Sequence, residues 1–431
     1  METKYITAID IGTTKTVVLI AKIDENGINI LGIGTATSRG IKKGVVKNVE
    51  EAISSIKKAI ERAIKDGGIG VSNIFVGITS HQIKTIFNKG SRYIDNNSKE
   101  IMREDVEILI NDMRKISIPS DDEILEIFPQ TYIIDGDPGE SNPIGITANR
   151  LEADFKIIIS KQISKIGIKK SLNRLGLDYK NVFLNPIASA AAVLSEDELE
   201  AGVVLVDIGA GVTDVTVFYD SIVRHVAVIP FGGNVITKDI KEGCQILLKD
   251  AELLKIQFGS AIGDNEPEDK VVSIAGINGR KPKEISFRSL AFIIQARMEE
   301  IVQEVANEIE KSDYYNRLGA GIVMTGGGAM LKNLDELMAY ITGLEVRIGT
   351  PSQDHFTEID KGIYGPDFAT SLGLLVEAAK NPKLLDSPNV IDNEINSSND
   401  SDDNEENEED EEKKIGFFEK IKNLLTDNDI K

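Results

Sequence analysis

Ile6-Thr7-Ala8-Ile9-Asp10-Ile11-Gly12-Thr13-Thr14-Lys15-Thr16-Val17-Val18-Leu19-Ile20 is the stretch that decides the fold. An apolar strand ends in Asp-Ile-Gly, a turn of Thr and Lys follows, and a second apolar strand leaves it. The pattern reads as a β-hairpin. It recurs as Val203-Val204-Leu205-Val206-Asp207-Ile208-Gly209-Ala210-Gly211-Val212-Thr213-Asp214-Val215-Thr216-Val217-Phe218. Each tip sets backbone N–H groups and hydroxyls beside a carboxylate. Glycine lets backbone approach a ligand closely, and clustered N–H groups cradle phosphate oxygens. The carboxylate suits Mg²⁺, a cation that takes oxygen ligands and keeps several waters. A third element, Ala320-Gly321-Ile322-Val323-Met324-Thr325-Gly326-Gly327-Gly328-Ala329, is a strand running into three glycines, with a helix expected from about Leu331. Strand-to-helix turns of this kind receive anions and nucleosides. Two hairpin tips facing each other would clamp a nucleoside triphosphate between two related lobes. The sequence has no G-x-x-x-x-G-K-[ST] and no G-x-G-x-x-G after a strand.

Composition sets the bounds. The 431 residues, 41% of them hydrophobic, suffice for two large domains or more. A net charge of −21, an aromatic content of 5% and the absence of Trp argue against a nucleic-acid surface. One Cys (Cys244) and three His (His81, His225, His355) allow no disulfide framework and no zinc spacing. Cys244 is expected to be buried, and the histidines to be turn or packing residues. The first residues run straight into a strand, without a basic start and apolar run, so no signal peptide is expected. No stretch reaches the roughly 18 consecutive apolar residues of a spanning helix. The chain is expected to begin in the cytoplasm.

Periodicity divides the chain. Val49, Ile53, Ile56, Ala59, Ile60 and Ala63 recur at helical spacing over 48–66, and Gly67-Gly68 stops them. With these elements, 1–84 forms the core of a first lobe, to which 161–200 and 365–380 return. Residues 85–160 read as strand, helix, strand, strand: a helix over 103–116, strands over 124–134 and 155–159, and a long loop over 135–149. They form a small inserted α+β subdomain. A second lobe takes 201–230 and 304–364, with a subdomain over 231–303. That subdomain holds a helix over 250–259 and leaves through a long helix over 287–309.

Residues 386–412 contain thirteen acidic residues and no basic one. So little apolar surface cannot offset the entropy of ordering, and a disordered linker with a reach of roughly 30 Å is expected. The last residues change character. Phe417, Phe418, Ile421, Leu424 and Leu425 fall at i, i+1, i+4, i+7 and i+8, and Lys413, Lys414, Lys420 and Lys422 cluster beside them. Over 413–431 this is a short basic amphipathic helix, of the kind that lies on an anionic membrane surface. Packing back on its own protein, or docking in a partner's groove, are the alternatives. Half-burying five apolar side chains gives about 4–7 kcal/mol. Lysines near anionic lipid add about 1 kcal/mol each. Ordering the segment costs about 10 kcal/mol. One copy is a marginal anchor, and many held together would bind by avidity.

The two hairpins and the glycine turn resemble the two phosphate loops and the adenosine loop of the actin, Hsp70 and sugar-kinase superfamily. Asn185-Pro186-Ile187-Ala188-Ser189-Ala190-Ala191 and Pro366-Asp367-Phe368-Ala369-Thr370-Ser371-Leu372-Gly373-Leu374 resemble its two connecting helices. Within it the chain resembles the FtsA family of actin-like bacterial cell-division proteins. The inserted subdomain, with Gln130-Thr131-Tyr132 and Asn142-Pro143-Ile144-Gly145, carries that resemblance. So do Leu194-Ser195-Glu196-Asp197-Glu198, Ile229-Pro230-Phe231-Gly232-Gly233-Asn234 with Thr237 and Asp239, and above all the linker with its terminal helix.

The resemblance implies an α/β, actin-like two-lobed ATPase fold of two RNase-H-like domains. It implies a protein that binds ATP, forms actin-like filaments with itself and ties the FtsZ ring to the inner face of the cytoplasmic membrane at the division site. Other division proteins would be recruited there. For ATP it implies Gly12, Thr13, Thr14 and Lys15 on one side, and Gly209, Ala210, Gly211 and Thr213 opposite, with Gly232 and Gly233. Gly326, Gly327 and Gly328 would flank the nucleoside, with Glu252 and Lys255 near ribose or base. Asp10 and Asp207 would hold Mg²⁺ through water, and Asp214 would orient the second loop. Arg297 and Glu300 would meet the acidic C-terminal tail of FtsZ on the 231–303 subdomain. Val212 and Asn185 depart from the pattern: one phosphate hydroxyl is missing or replaced by that of Thr213, and the Glu or Gln that positions water is replaced. Tight binding with slow hydrolysis follows. A pilus-assembly scaffold of the same fold, a small-molecule kinase and a chaperone ATPase are the other classes; the last would need a peptide-binding domain after the ATPase, where only about fifty residues remain.

Overall fold

A computed structural model describes residues 4–95, 98–276, 278, 280–358 and 361–386. Of the expected acidic linker only Asp386 falls within them, and the helix expected over 413–431 lies outside.

In the first lobe, Lys4–Ile11 and Lys15–Asp24 pair antiparallel, with Asp10 opposite Val17 and Ile11 opposite Thr16. Ile6, Ala8, Ile9 and Val17 through Ala21 are fully buried. Strands covered on both faces read as continuous apolar runs, which is why these do not alternate. The six-stranded sheet runs in the order Tyr179–Leu184, Ile74–Ile78, Lys4–Ile11, Lys15–Asp24, Gly27–Thr37, Phe356–Glu358. Helix Val49–Gly67 covers it, capped at the start by the Asn48 side chain on Glu51 N–H (3.3 Å) and at the end by left-handed Gly68.

The second lobe repeats this plan. Its sheet runs Ile222–Ile229, Thr213–Tyr219, Val203–Ile208, Ile322–Thr325, Val346–Ile348. In both lobes three strands meander antiparallel, and the first of them is followed outward by two parallel strands. The duplicated Asp-Ile-Gly pattern is therefore the sequence trace of a duplicated sheet.

The insert is a four-stranded sheet, Lys84–Tyr93, Arg150–Lys161, Asp122–Ile134, Asp137–Glu140, with helix Arg103–Met113 on one face and a separate core around Leu109, Phe155 and Ile157. The segment 135–149 is not one long loop. Asp135-Gly136, with φ of 49° and 99°, turns the chain into strand Asp137–Glu140. An Asp-Gly pair is the residue choice that such a hairpin turn favours. The insert helix stops at Met113, where the Arg114 N–H turns back to Asn111 and Asp112 carbonyls.

Three other expectations shift. Phe356–Glu358, placed by its position in 304–364 with the second lobe, pairs parallel with Gly27–Thr37, because Phe356 is buried in the first lobe's core. The boundary at 303/304 falls inside one continuous helix, Phe287–Lys311, which binds subdomain and lobe through buried Leu290, Ile294, Met298, Ile301 and Val305. The glycines run into a short 3₁₀ turn, Gly327–Met330, and the helix begins only at Leu334.

Helices Asn185–Val193 and Ala369–Lys380 cross where the lobes join. A Cβ on Gly373 would collide with the Ala188 carbonyl, so glycine permits the crossing. The insert also reaches the second lobe. Gln130 Nε2 donates to the Val223 carbonyl (2.9 Å), Arg224 Nη1 donates to the Gln130 carbonyl (2.9 Å), and Lys156 Nζ donates to the Arg224 carbonyl.

Candidate functional site

The duplicated hairpins end in matching turns. Gly12 N–H donates to the Lys15 carbonyl (3.1 Å), and Gly209 N–H donates to the Val212 carbonyl (3.0 Å). The tips meet across a cleft of about 730 Å³ between the lobes, within the size range of small-molecule sites. Their approach is so close that a Cβ on Gly211 would collide with Thr13 Oγ1. Gly12, Thr13, Thr14 and Lys15 line one side, and Gly209, Ala210 and Gly211 the other.

The remaining expected residues separate into two groups. Gly233, Glu252, Lys255, Gly326, Gly327 and Gly328 line the same cleft. Gly326 has φ of 81°, and a Cβ there would strike Asp207 Oδ1, so the turn needs glycine twice over. Lys255 Nζ donates to Glu252 Oε2 (2.8 Å), Thr237 Oγ1 (2.8 Å) and the Gly233 carbonyl (3.1 Å). Thr213 and Gly232 are not among the lining residues. Thr213 is fully buried and donates to the Phe231 carbonyl (2.9 Å), so its hydroxyl is already engaged and does not replace the one missing at Val212. Gly232 packs behind the second tip, where Gly233 N–H donates to the Gly209 carbonyl (3.0 Å) and Asn234 N–H to the Ala210 carbonyl (2.8 Å). Arg297 and Glu300 stand apart from the cleft lining, on helix Phe287–Lys311. There Arg297 grips Asp239 through Nε (2.6 Å) and Nη2 (3.2 Å) and also bonds Glu300.

Three carboxylates, Asp10, Asp207 and Asp214, line the cleft. Burial raises Asp10 to about 7, with the Asp207 charge adding to it and Lys15 opposing. Burial pushes Asp214 up to about 8, again with Asp207 adding. Asp207 is raised by burial against the hydrogen bonds it accepts from Ser189 (2.7 Å) and Thr370 (3.2 Å). Asp214 does not hold its own loop: it accepts from Thr79 Oγ1 (2.8 Å) across the two lobes. Asn185 Oδ1 is buried there with no hydrogen-bond partner. Ser189, Thr370 and Thr79 had no assigned role in the sequence reading. The first two lie in segments that resemble connecting helices, and no local pattern singles them out.

Family comparison agrees with this architecture. The family model "Cell division protein FtsA" matches residues 204–373, and "SHS2 domain inserted in FTSA" matches 80–159, which is the insert. Cell division protein FtsA of Neisseria meningitidis serogroup B is 35% identical over 387 residues, covering 89% of this chain and 92% of that protein. Among solved structures, the PilM-PilN type IV pilus biogenesis complex aligns with a TM-score of 0.60 at 16% identity, covering 86% of this chain and 98% of that one. MreB5 of Spiroplasma citri bound to ADP aligns with a TM-score of 0.50 at 17% identity, covering 88% and 95%. Two RNase-H-like lobes around a cleft, with this insert, define an actin-like protein. At 35% identity over 89% of its length, the chain belongs to the FtsA family of cell division proteins.

Proposed function

We propose that this chain binds ATP with Mg²⁺ between its lobes, assembles into actin-like filaments, and ties the FtsZ ring to the inner face of the cytoplasmic membrane while recruiting other division proteins. The observation that carries the nucleotide part is the meeting of two matched Gly-rich tips across one cleft, with the triple-glycine turn beside them. ADP occupies the structural neighbour MreB5. The floor suits a divalent cation. Burial, with the Asp207 charge adding to it, raises Asp10 to about 7 and Asp214 to about 8, and an added cation would offset this. Among the described residues no three carboxylate, His or Cys groups are placed to hold an ion by themselves, so Mg²⁺ would complete its shell with water and phosphate oxygens. Asn185 in place of a carboxylate supports slow hydrolysis. The acidic FtsZ tail would reach Arg297 only by competing with Asp239.

The membrane role rests on the amphipathic pattern of 413–431. Its test is co-sedimentation with anionic liposomes in the presence of ATP, comparing the full chain with one ending at Glu412. Pelleting of the full chain alone is expected, with an FtsZ-tail peptide carried down by it. If both chains stay in the supernatant while ATP still binds, the tether is wrong. A soluble scaffold, a reading favoured by the likeness to the PilM-PilN complex, then takes its place.

A further inference from the structure

We infer that Asp367 is a latch on Lys15: it parks the phosphate-loop lysine on the hinge, and a polyphosphate ligand must take the lysine from it. The inference deepens the nucleotide reading and rests on it. Lys15 closes the first hairpin tip, beside the N–H groups and hydroxyls of Gly12, Thr13 and Thr14. Its ammonium is held by Asp367, which lines the same cleft. The ammonium donates to Asp367 Oδ2 (2.7 Å) and to the Asp367 carbonyl (3.0 Å), and stands 3.8 Å from the centroid of the Phe368 ring. An ammonium has three N–H donors. Two go to one residue, and an aromatic face, which attracts cations, takes the charge from a third side.

The place of Asp367 matters. Its turn, Pro366–Phe368, leads directly into the connecting helix Ala369–Lys380. The Pro366 carbonyl accepts from Gly326 N–H (3.1 Å) and Thr325 Oγ1 (3.2 Å), at the triple-glycine turn of the second lobe. Thr370, just beyond, donates to Asp207. One short stretch thus touches both hairpins and the glycine turn. Lys15 and Asp367 side chains are each 33% exposed, so their attraction is screened and reversible. A triphosphate on the tip offers several charged oxygens against one carboxylate, and charge-assisted bonds to it should win. Asp367 acts through Lys15 and is a positioning residue.

The test is calorimetric titration of the full chain with MgATP and MgADP, for the parent, Asp367→Asn, Lys15→Met and the double variant, with a melting temperature for each. Asp367→Asn is expected to tighten nucleotide binding about two- to five-fold, since a weak competitor is removed. Lys15→Met is expected to weaken binding, and in that background Asp367→Asn should have no effect. Asp367→Glu, which keeps the charge, should return affinity toward the parent value. Unchanged or weaker binding by Asp367→Asn with an intact melting temperature would overturn the latch. So would equal tightening in both backgrounds, which would mean that Asp367 repels the ligand directly. A parent chain that binds neither nucleotide would reject the nucleotide reading itself, and the latch with it.

Discussion

Asp214 shows how a single buried carboxyl links the site to stability. Its ordinary value is 3.8, and burial beside Asp207 pushes it up to about 8 in the folded chain. Between those values the folded state keeps a proton that the unfolded state has released. Stability from this group is therefore full below about pH 4 and is lost as pH rises to about 8. Asp214→Asn should stabilise the Mg²⁺-free protein by about 1 kcal/mol or more at pH 8.5, with the gain shrinking toward pH 5. Urea unfolding at the two pH values measures it, and an equal effect at both would contradict burial as the cause. Asp10 and Asp207 were legible in sequence because each stands in a strand ending beside glycine. Their supports were not. Ser189 and Thr370 reach Asp207, and Asp367 reaches Lys15 from 352 positions away, by contacts that no local pattern encodes.

Helices and hairpins were readable wherever one period ran unbroken. Helix Val49–Gly67 announces itself by its apolar spacing, its Asn48 cap and its terminal glycines. The hairpin at Asp135-Gly136 carried a legible turn signal too, but the strand beyond it, Asp137–Glu140, is wholly exposed, so no alternation marks it. The crossing of the connecting helices yields a prediction of sign. In an exposed helix, Gly→Ala stabilises by about 1 kcal/mol. At Gly373 the new methyl would meet the Ala188 carbonyl. Gly373→Ala should instead destabilise by about 2 kcal/mol, as overpacking does, and loosen the lobes. Denaturant unfolding decides it, and a stabilised variant would show that the helices can part freely.

Among the contacts that join the lobes are the crossed helices, Thr79 on Asp214 at the cleft floor, and the insert on Val223 and Arg224. A ligand that moves one lobe must load the insert contact as well. Arg224 is 8% exposed and donates to carbonyls on both sides, Tyr219 in its own lobe and Gln130 in the insert. Arg224→Met should loosen the insert by removing its charge-assisted hydrogen bonds to the part-buried Tyr219 and Gln130 carbonyls, at about 1–3 kcal/mol. Hydrogen exchange should quicken in strand Asp122–Ile134 while the first hairpin, Lys4–Asp24, stays protected. Equal quickening in both would mean that the arginine holds the whole protein rather than this joint.

Local pattern specified the two lobes, the insert, the phosphate-type tips and the change of character after the last helix. Each of these is written in contiguous residues, where strand runs, helical spacing and glycine turns impose their own geometry. Three-dimensional packing chose the rest. It sent Phe356–Glu358 back to the first lobe, turned Thr213 away from the cleft, gave Asp214 to Thr79 and Lys15 to Asp367. Those pairings join residues that are far apart in the chain. They form because folding buries charge and hydroxyl together and each must find a partner, a demand that sequence neighbours cannot meet.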